Sequence, residues 1–170
     1  MSRSAEKKSP DVIGWREVVG LPDLGVSHLR AKIDTGARTS ALHALDVQTL
    51  ERDGVPWVSF RVPRQGYSSA TQYLAPVHDR RSIRNTSGVA EERWIIRSTL
   101  LLGQRRWRIQ LSLANRENMG FDLILGRTAI RGHRVLVDPN RSFLTGQPPS
   151  VGSCATALSD ASGVIFLKDH

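Results

Sequence analysis

The chain has 170 residues, of which 39% are hydrophobic and 24% charged, and its formal net charge is +8. This length accommodates one hydrophobic core, and the single cysteine, Cys154, excludes both an internal disulfide framework and a zinc site built from several cysteines. The polar N-terminus and the lack of a long apolar run argue against a signal peptide or a membrane span, so we expect a cytoplasmic protein.

The predicted elements are short strands separated by regular turns, after a disordered lead at residues 1–10. Alternating or continuous apolar residues predict strands at 12–19, 28–34, 55–62, 73–77, 93–103, 105–113, 122–126 and 134–139. The Asp-Gly pair at 53–54 and the Gly-Gln pair at 103–104 are turn signals between such strands. Short strands, regular turns and little helix are typical of an all-β sandwich or barrel.

Several segments allow more specific predictions. Pro76 favours an edge position for strand 73–77, because proline lacks the N–H that a central strand needs. The run DLILG (122–126) predicts a strand buried on both faces, and RTAIRGH (127–133) can form one short helix. We therefore expect a barrel domain over residues 11–146. A flexible tail at 147–170 follows, rich in Pro, Gly, Ser and Ala, and its end, VIFLK, can dock as an extra strand.

The segment AKIDTGARTSALHA (31–44) places an aspartate directly after an alternating apolar strand. Asp-Thr-Gly on its own is more often a plain turn that ends a strand. Here, however, Asp34 directly follows an apolar strand, so we expect its carboxylate to lie at the edge of the core and not in bulk solvent. Gly36 permits a tight bend, and the Thr35 hydroxyl can hydrogen-bond to a neighbouring chain. These features make Asp34, Thr35 and Gly36 the candidate catalytic loop.

Two motifs together resemble a known family. IDTGA, followed later by LILGR, is similar to the paired motifs of retropepsin-like aspartic peptidases. Several further segments extend the resemblance to the RimK-associated family, also named "ATP-dependent zinc protease", over residues 13–145. They are GWREVVGLPDLGV, HDRRSIRNTSG, NRENMGFDLILGR and VDPNRSFL.

The resemblance implies a small closed retropepsin-like barrel with one or two short helices. Such a barrel supplies one catalytic aspartate, so the active unit is expected to be a homodimer with Asp34 from each subunit. Thr35 would brace the two subunits, and a polar hairpin between residues 63 and 92 would form a flap over the substrate. Two adjacent carboxylates share one proton and supply both acid and base, with an optimum expected on the acid side of neutral.

One position departs from the retropepsin pattern. Viral retropepsins have an acidic residue soon after Asp-Thr-Gly-Ala, and it pairs with the arginine of the Gly-Arg strand. Arg38 occupies that place here, so Arg127 needs another partner. Arg38 joins the candidate substrate-binding residues.

Basic charge is concentrated between residues 78 and 108, a segment that contains eight arginines and only three acidic residues. Such a balance favours an acidic partner, and arginine forks bind carboxylates in a bidentate manner. Arg80, Arg81 and Arg84 lie where the resemblance places the flap, so we expect them to select an acidic, glutamate-rich peptide or tail. The family's association with RimK, which adds glutamates to a ribosomal protein, implies the same substrate and a ribosomal-protein link. The alternative for this charge is a solvated surface.

Other functions remain open from the sequence. We expect no cofactor, although His43 and His78 could join Asp34 in a zinc site, which would make the protein a zinc-dependent peptidase. ATP binding is not expected, since there is no P-loop motif. A non-catalytic basic barrel that binds RNA or the ribosome would also fit the charge. Arg38 beside the catalytic strand leaves an inactive scaffold as a third alternative. In a monomer, the second carboxylate could come from Asp79, Asp122 or Asp138.

Overall fold

A computed structural model describes residues 9–63, 71–117, 120–150 and 164–167, and within them the chain forms thirteen β-strands and two short helices. The strands are β1 Asp11–Gly14, β2 Arg16–Leu21, β3 Val26–Asp34, β4 Ser40–His43, β5 Leu45–Arg52, β6 Val55–Arg61, β7 Gln72–Pro76, β8 Asp79–Arg84, β9 Ala90–Leu102, β10 Arg105–Ala114, β11 Leu123–Gly126, β12 Val135–Asp138 and β13 Val164–Phe166. The helices are a 3-10 turn at Pro22–Leu24 and α1 at Arg127–Ile130. Neither helix in this described part of the chain has the length and hydropathy of a membrane span.

Six strands close into a ring. Their order is β10, β4, β11, β3, β2 and β9, and β9 pairs again with β10, so no edge remains within the ring. β8 extends the sheet by pairing with the first half of β9. Leu29, Leu42, Leu111 and Leu123 are buried at its centre. Every ring strand therefore has a paired neighbour on each side, and the prediction of a closed all-β barrel with short helices is confirmed.

A second sheet covers one side of the barrel with the strand order β13, β7, β6, β5. Phe60 and Tyr73 stack at 5.6 Å between ring centroids, and both are buried in the common core. The Tyr73 hydroxyl donates to the carbonyl of Leu24 at 3.0 Å, which satisfies its polar end. The two sheets thus share one hydrophobic core.

Several predicted elements are confirmed. The hairpin at 103–104 joins β9 to β10, and Gly103 has the positive φ of 60° that its turn requires. The run 122–126 contains β11, buried on both faces between β3 and β4, and α1 follows it. The end of the tail docks as β13, parallel to β7. The lead at residues 1–8 and the tail at 151–163 and 168–170 lie outside the described residues.

Two strand predictions are wrong in detail. The predicted strand 12–19 is broken at Trp15, whose N–H bonds to the carbonyl of Arg141, and β1 leaves the barrel to pair with β12. Strand β7 is not at an edge, because β13 pairs with it along Gln72 to Leu74. Pro76 lies beyond that paired segment, so its missing N–H costs no hydrogen bond to β13.

Candidate active site

Asp34 lies at the end of β3, directly beside the end of β11. In the parallel register of these strands Asp34 is opposite Gly126. The alternating pattern of β3 buries Ala31 and Ile33 and leaves Asp34 partly exposed. The apolar strand therefore brings the carboxylate to the rim of the core, as its position in the sequence predicted.

The loop after β3 folds back onto this carboxylate. Oδ1 of Asp34 accepts hydrogen bonds from the N–H groups of Gly36 at 3.0 Å and Ala37 at 3.1 Å. The Asp34 carbonyl also accepts from Ala37 N–H at 3.2 Å. Two donors to one oxygen fix the orientation of the carboxylate.

Gly126 allows the loop to approach β11 closely. A Cβ atom at this position would lie 2.8 Å from the carbonyl oxygen of Arg38 and 2.8 Å from the carbonyl carbon of Thr39, closer than real contacts allow. The N–H of Gly126 donates to the hydroxyl of Ser40 at 3.0 Å. Only glycine fits this contact, which explains the glycine at the end of the strand.

Arg127 binds the loop that carries Asp34. Its guanidinium Nη1 donates to the carbonyl of Gly36 at 3.1 Å and, more weakly, to that of Thr35 at 3.4 Å. Its backbone N–H donates to the carbonyl of Ala37 at 2.9 Å. The partner that Arg127 needed in place of an acidic residue is therefore the loop backbone.

Thr35, Gly36 and Arg38 are all exposed on the outer side of this loop. The carbonyl of Arg38 accepts a hydrogen bond of 2.7 Å from the Thr128 hydroxyl. A rigid backbone therefore presents the Thr35 and Arg38 side chains to solvent, where a substrate or a second subunit can reach them.

The three candidate second carboxylates lie in other surroundings. A hydrogen bond from Arg81, then one from the Arg80 N–H, lowers the pKa of Asp79. In the same way the Arg141 side chain, then the Asn140 N–H, lowers the pKa of Asp138. A carboxyl group with a lowered pKa is poorly suited to hold the shared proton of a dyad.

Asp122 is separated from Asp34 by the length of β11. It precedes Leu123, which pairs with Ala31, whereas Asp34 pairs with Gly126 at the other end of the strand. At roughly 3.3 Å per residue, the two aspartates are about 13 Å apart. Asp122 accepts from the N–H of Arg30. Within the described residues, Asp34 therefore has no carboxylate partner from its own chain among these three.

The predicted substrate arginines lie on β8 but do not share one face. Arg80 and Arg84 are exposed on one side of the strand. Arg80 forms a 2.7 Å ion pair with Glu92 and lies over the ring of Trp94. Arg84 stands opposite Ala90 at the end of the hairpin.

Arg81 points to the other face of β8. It bonds to Asp79 at 2.7 Å and to the side-chain oxygen of Gln110 at 2.8 Å. Its charge is thus already engaged. Of the three arginines, Arg80 and Arg81 each have an acidic neighbour within the hairpin, which leaves them less available to a substrate.

The two histidines considered for zinc are not gathered around Asp34. His43 Nδ1 accepts from the N–H of Arg116 at 2.9 Å, and the ring of His78 contacts Gln110 at 3.1 Å. Across the ranges that the structure describes, no three His, Cys, Asp or Glu side chains lie close enough together to hold a metal ion. These donors do not fit a zinc centre at Asp34.

Arg116 is a residue near the site that sequence reasoning missed. Burial lowers its pKa, the charge of Arg93 lowers it further, and the charge of Asp34 acts in the opposite direction. Arg116 stands in NRENMGFDLILGR, and the fold places its backbone N–H against Nδ1 of His43 at 2.9 Å.

Comparison with known proteins agrees with this arrangement. Residues 12–148 match the family model of RimB-like proteins, described as the retropepsin-like aspartic endopeptidase RimB. A crystal structure of Lpg0085, a protein of unknown function from Legionella pneumophila, is 29% identical with a TM-score of 0.67, and the match covers 81% of this chain and 99% of that one.

Similar sequences occur within larger proteins named probable alpha-L-glutamate ligase. The relative from Parasynechococcus marenigrum is 44% identical over 137 residues, which cover 79% of this chain and 29% of that protein. The relative from Desulfotalea psychrophila is 42% identical over 149 residues, covering 86% of this chain and 31% of the relative. The chain therefore spans about a third of the length of these relatives. Because the family model matches residues 12–148, which is most of the chain, the chain belongs to the RimB-like family of retropepsin-like aspartic endopeptidases.

Proposed function

We propose that the protein hydrolyses peptide bonds with a pair of Asp34 carboxylates, one from each subunit of a homodimer. The observation that carries this proposal is the loop geometry. One oxygen of Asp34 is held by two N–H groups, on a loop braced by Gly126 and Arg127. The carboxylate is partly exposed, so a second copy can approach it.

The chemistry follows from the proximity of two identical acids. Two carboxylates a few ångströms apart cannot both ionise cheaply, so they share one proton. The ionised member takes a proton from a water molecule as the water oxygen attacks the scissile carbonyl carbon. The other member gives its proton to the carbonyl oxygen. When the tetrahedral intermediate collapses, the C–N bond breaks and the protonated aspartate gives its proton to the leaving nitrogen. The other aspartate takes a proton from a hydroxyl of the intermediate, which becomes the product carboxyl group, so the pair again holds one proton.

The neighbouring residues have positioning roles in this proposal. The N–H groups of Gly36 and Ala37 hold Asp34 in one orientation, which reduces the reorganisation needed at the transition state. Thr35 is exposed beside the carboxylate and would hydrogen-bond across the two-fold axis. Arg127 holds Thr35 and Gly36 in place by donating hydrogen bonds to their carbonyl oxygens.

We propose an acidic, glutamate-rich peptide or tail as the substrate. The net charge of +8 attracts such a chain. The relatives that contain a similar sequence are named probable alpha-L-glutamate ligase, and a hydrolase beside such a ligase could remove what the ligase adds. A cytoplasmic setting and a glutamate-tailed ribosomal protein are part of the same proposal. It includes no cofactor, because the donors near Asp34 do not fit a metal.

The test uses purified protein, oligoglutamyl peptides and the Asp34→Asn variant. Hydrolysis should vanish in the variant, should survive a metal chelator and should weaken with added salt. Salt-sensitive RNA binding with no hydrolysis of any peptide would favour a binding module instead.

Mixing subunits tests the shared dyad directly. After exchange of equal amounts of wild-type and Asp34→Asn protein, about a quarter of the dimers keep two native aspartates. The activity should then fall to about a quarter of that of the same total of wild-type protein. A fall to about one half would mean that each subunit works alone, and sedimentation should report a dimer.

A further inference from the structure

A cavity of about 400 Å³ lies at the end of the barrel where β11 begins. Its lining includes His43 at the end of β4, Arg116 just after β10, and Phe121 and Asp122 just before β11. The volume is within the range of small-ligand pockets. Asp122 is about 13 Å from Asp34 along β11, at roughly 3.3 Å per residue, so the cavity is separate from the cleft at Asp34.

His43 brings an unused hydrogen-bond donor to this cavity. The residue is only 9% exposed, and its Nδ1 accepts the N–H of Arg116 at 2.9 Å. Since Nδ1 accepts this bond, the proton of the ring lies on Nε2. No acceptor for this Nε2–H group is found among the described residues. The backbone N–H of His43 also donates to the carbonyl of Asp122 at 2.8 Å, which fixes the residue at the start of β11.

Arg116 supplies further donors beside this imidazole. Its backbone is held by His43, whereas its side chain forms no ion pair in the part of the chain that the structure describes. Its Nε is buried without an acceptor, and a buried N–H left in this state is costly. The carboxylate of a ligand in the cavity would supply acceptors for both Arg116 and His43.

The charges around the cavity disfavour a simple anion. The guanidinium groups of Arg30 and Arg116 are matched by two carboxylates, those of Glu117 and Asp122. Asp122 accepts the N–H of Arg30 through Oδ2 at 3.3 Å, and its Oδ1 has no partner among the described residues. A lone anion would be repelled by these acids. A ligand with a positive group next to its carboxylate would be attracted by both signs of charge.

Phe121 gives one wall of the cavity an apolar surface. Its ring lies edge-on to the ring of Trp15, at 6.1 Å between centroids. The side chain of Arg30 donates from Nη2 to the carbonyl of Gly120 at 3.2 Å, which holds the chain before Phe121 against β3. The wall is therefore formed before any ligand binds, which lowers the entropy cost of binding.

We propose that this cavity binds a free α-amino acid, with its carboxylate at Arg116 and Nε2 of His43 and its ammonium group at Asp122. Such a zwitterion complements the balanced charge of the lining and engages the unused donor and acceptor groups. Its side chain would lie along Phe121. The site goes beyond the proposed peptidase function and needs none of its chemistry, so the amino acid can bind while a substrate occupies the cleft at Asp34.

Titration with a panel of the standard L-amino acids, followed by protein NMR, tests the site directly. The amino acid that binds best should shift the backbone amide signals of His43 and Arg116 saturably. The Asp34→Asn protein should bind it with unchanged affinity, whether or not any peptide is hydrolysed. If no amino acid causes a saturable shift of these signals, the proposal is overturned.

Two derivatives of the same amino acid separate the contacts of its charged groups. The N-acetyl derivative loses the ammonium charge and the amide derivative loses the carboxylate, so each should bind at least about tenfold more weakly. They also represent the other sources of this chemistry, because a peptide C-terminus resembles the first and a peptide N-terminus resembles the second. A derivative that binds as well as the amino acid, or equal binding of sodium acetate or phosphate, would overturn the assignment of a zwitterion.

Three variants remove the proposed contacts one at a time. His43→Asn keeps an oxygen that can accept the N–H of Arg116 but loses the Nε2–H group. Arg116→Gln removes the guanidinium, and Asp122→Asn keeps an acceptor for the N–H of Arg30 but loses the negative charge. Each variant should weaken binding of the amino acid by about ten- to hundredfold. Asp122→Asn should not weaken binding of the N-acetyl derivative, which has no ammonium group.

Arg106→Gln is the matched control, because Arg106 is an exposed arginine at the other end of β10. This variant should bind the amino acid as the wild type does, and melting temperatures should show that each variant is folded. The derivatives are measured on the wild-type protein, so the test stands even where one variant does not fold. Wild-type affinity in the folded variants of His43, Arg116 and Asp122 would contradict the site.

Discussion

The guanidinium of Arg127 donates a hydrogen bond of 3.1 Å to the carbonyl of Gly36, in the loop that orients Asp34. This contact links α1, which begins directly after β11, to the turn that follows β3. The side chain thus binds backbone and not a carboxylate, and the loop is stiffened from within one subunit. The orientation of Asp34 therefore depends on a residue that follows its strand partner Gly126 in the sequence.

Arg127→Gln should lower kcat about tenfold or more, because small displacements of a catalytic group are costly. The exposed contact contributes little to folding, so the free energy of unfolding should change by less than about 1 kcal/mol. Steady-state kinetics and urea unfolding measure the two effects. Arg131→Gln, an exposed arginine just after α1, serves as the control. Equal activity in both variants would contradict the bracing role.

Gly126→Ala should destabilise the protein by about 2 kcal/mol or more, since overpacking of a close backbone contact forces the chain apart. The new Cβ would lie 2.8 Å from the Arg38 carbonyl oxygen. Urea denaturation gives the change in free energy. Gly88→Asn is the matched control, because Gly88 faces open space and asparagine tolerates its φ of 78°. A variant at Gly126 as stable as this control would refute the close contact.

The parts of the fold that the sequence predicted are those with strong local signals. The alternation of 28–34 and the turn at 103–104 placed β3, β9 and β10, and the apolar run at 122–126 placed β11. Strand β5 was missed because LDVQTLER is exposed over most of its length and shows little apolar alternation. Strand β4, which is buried throughout, shows no polar alternation to mark it.

The candidate site likewise has a part that could be predicted from the sequence and a part that could not. Asp34 and its loop are local in sequence, so their arrangement could be anticipated from strand, aspartate and glycine. The N–H of Arg116 reaches Nδ1 of His43 only through the pairing of β4 with β10, and such long-range contacts leave no local pattern. The density of arginines on β8 pointed to the hairpin, but the acids that engage Arg80 and Arg81 were visible only in the fold.

Glu17→Gln should destabilise the protein by about 2 kcal/mol, because the amide offers one oxygen where the carboxylate offers two. The Glu17 side chain is fully buried and accepts from Gly14 N–H at 2.7 Å, Leu144 N–H at 2.9 Å and the Thr145 hydroxyl at 3.0 Å. It ties the chain after β12 to the start of the barrel. Thermal and urea unfolding measure the loss, with the exposed Glu51→Gln as control. A loss no larger than that of the control would contradict this linkage.

The pKa of His133 should lie below its ordinary value of 6.5, because burial lowers it and the charge of Arg105 lowers it further. The ring stacks on Trp107 at 4.3 Å between centroids. Because the pKa of His133 is lower in the folded chain than in the unfolded chain, protonation of this residue favours unfolding. The stability that neutral His133 contributes is therefore complete above about pH 6.5 and is lost as the pH falls through the lowered pKa. The imidazole NMR resonance gives the pKa directly. Urea unfolding between pH 7 and 5 should show a smaller loss of stability in His133→Gln than in the wild type. A pKa at or above 6.5, or an unchanged pH dependence in that variant, would contradict the assignment.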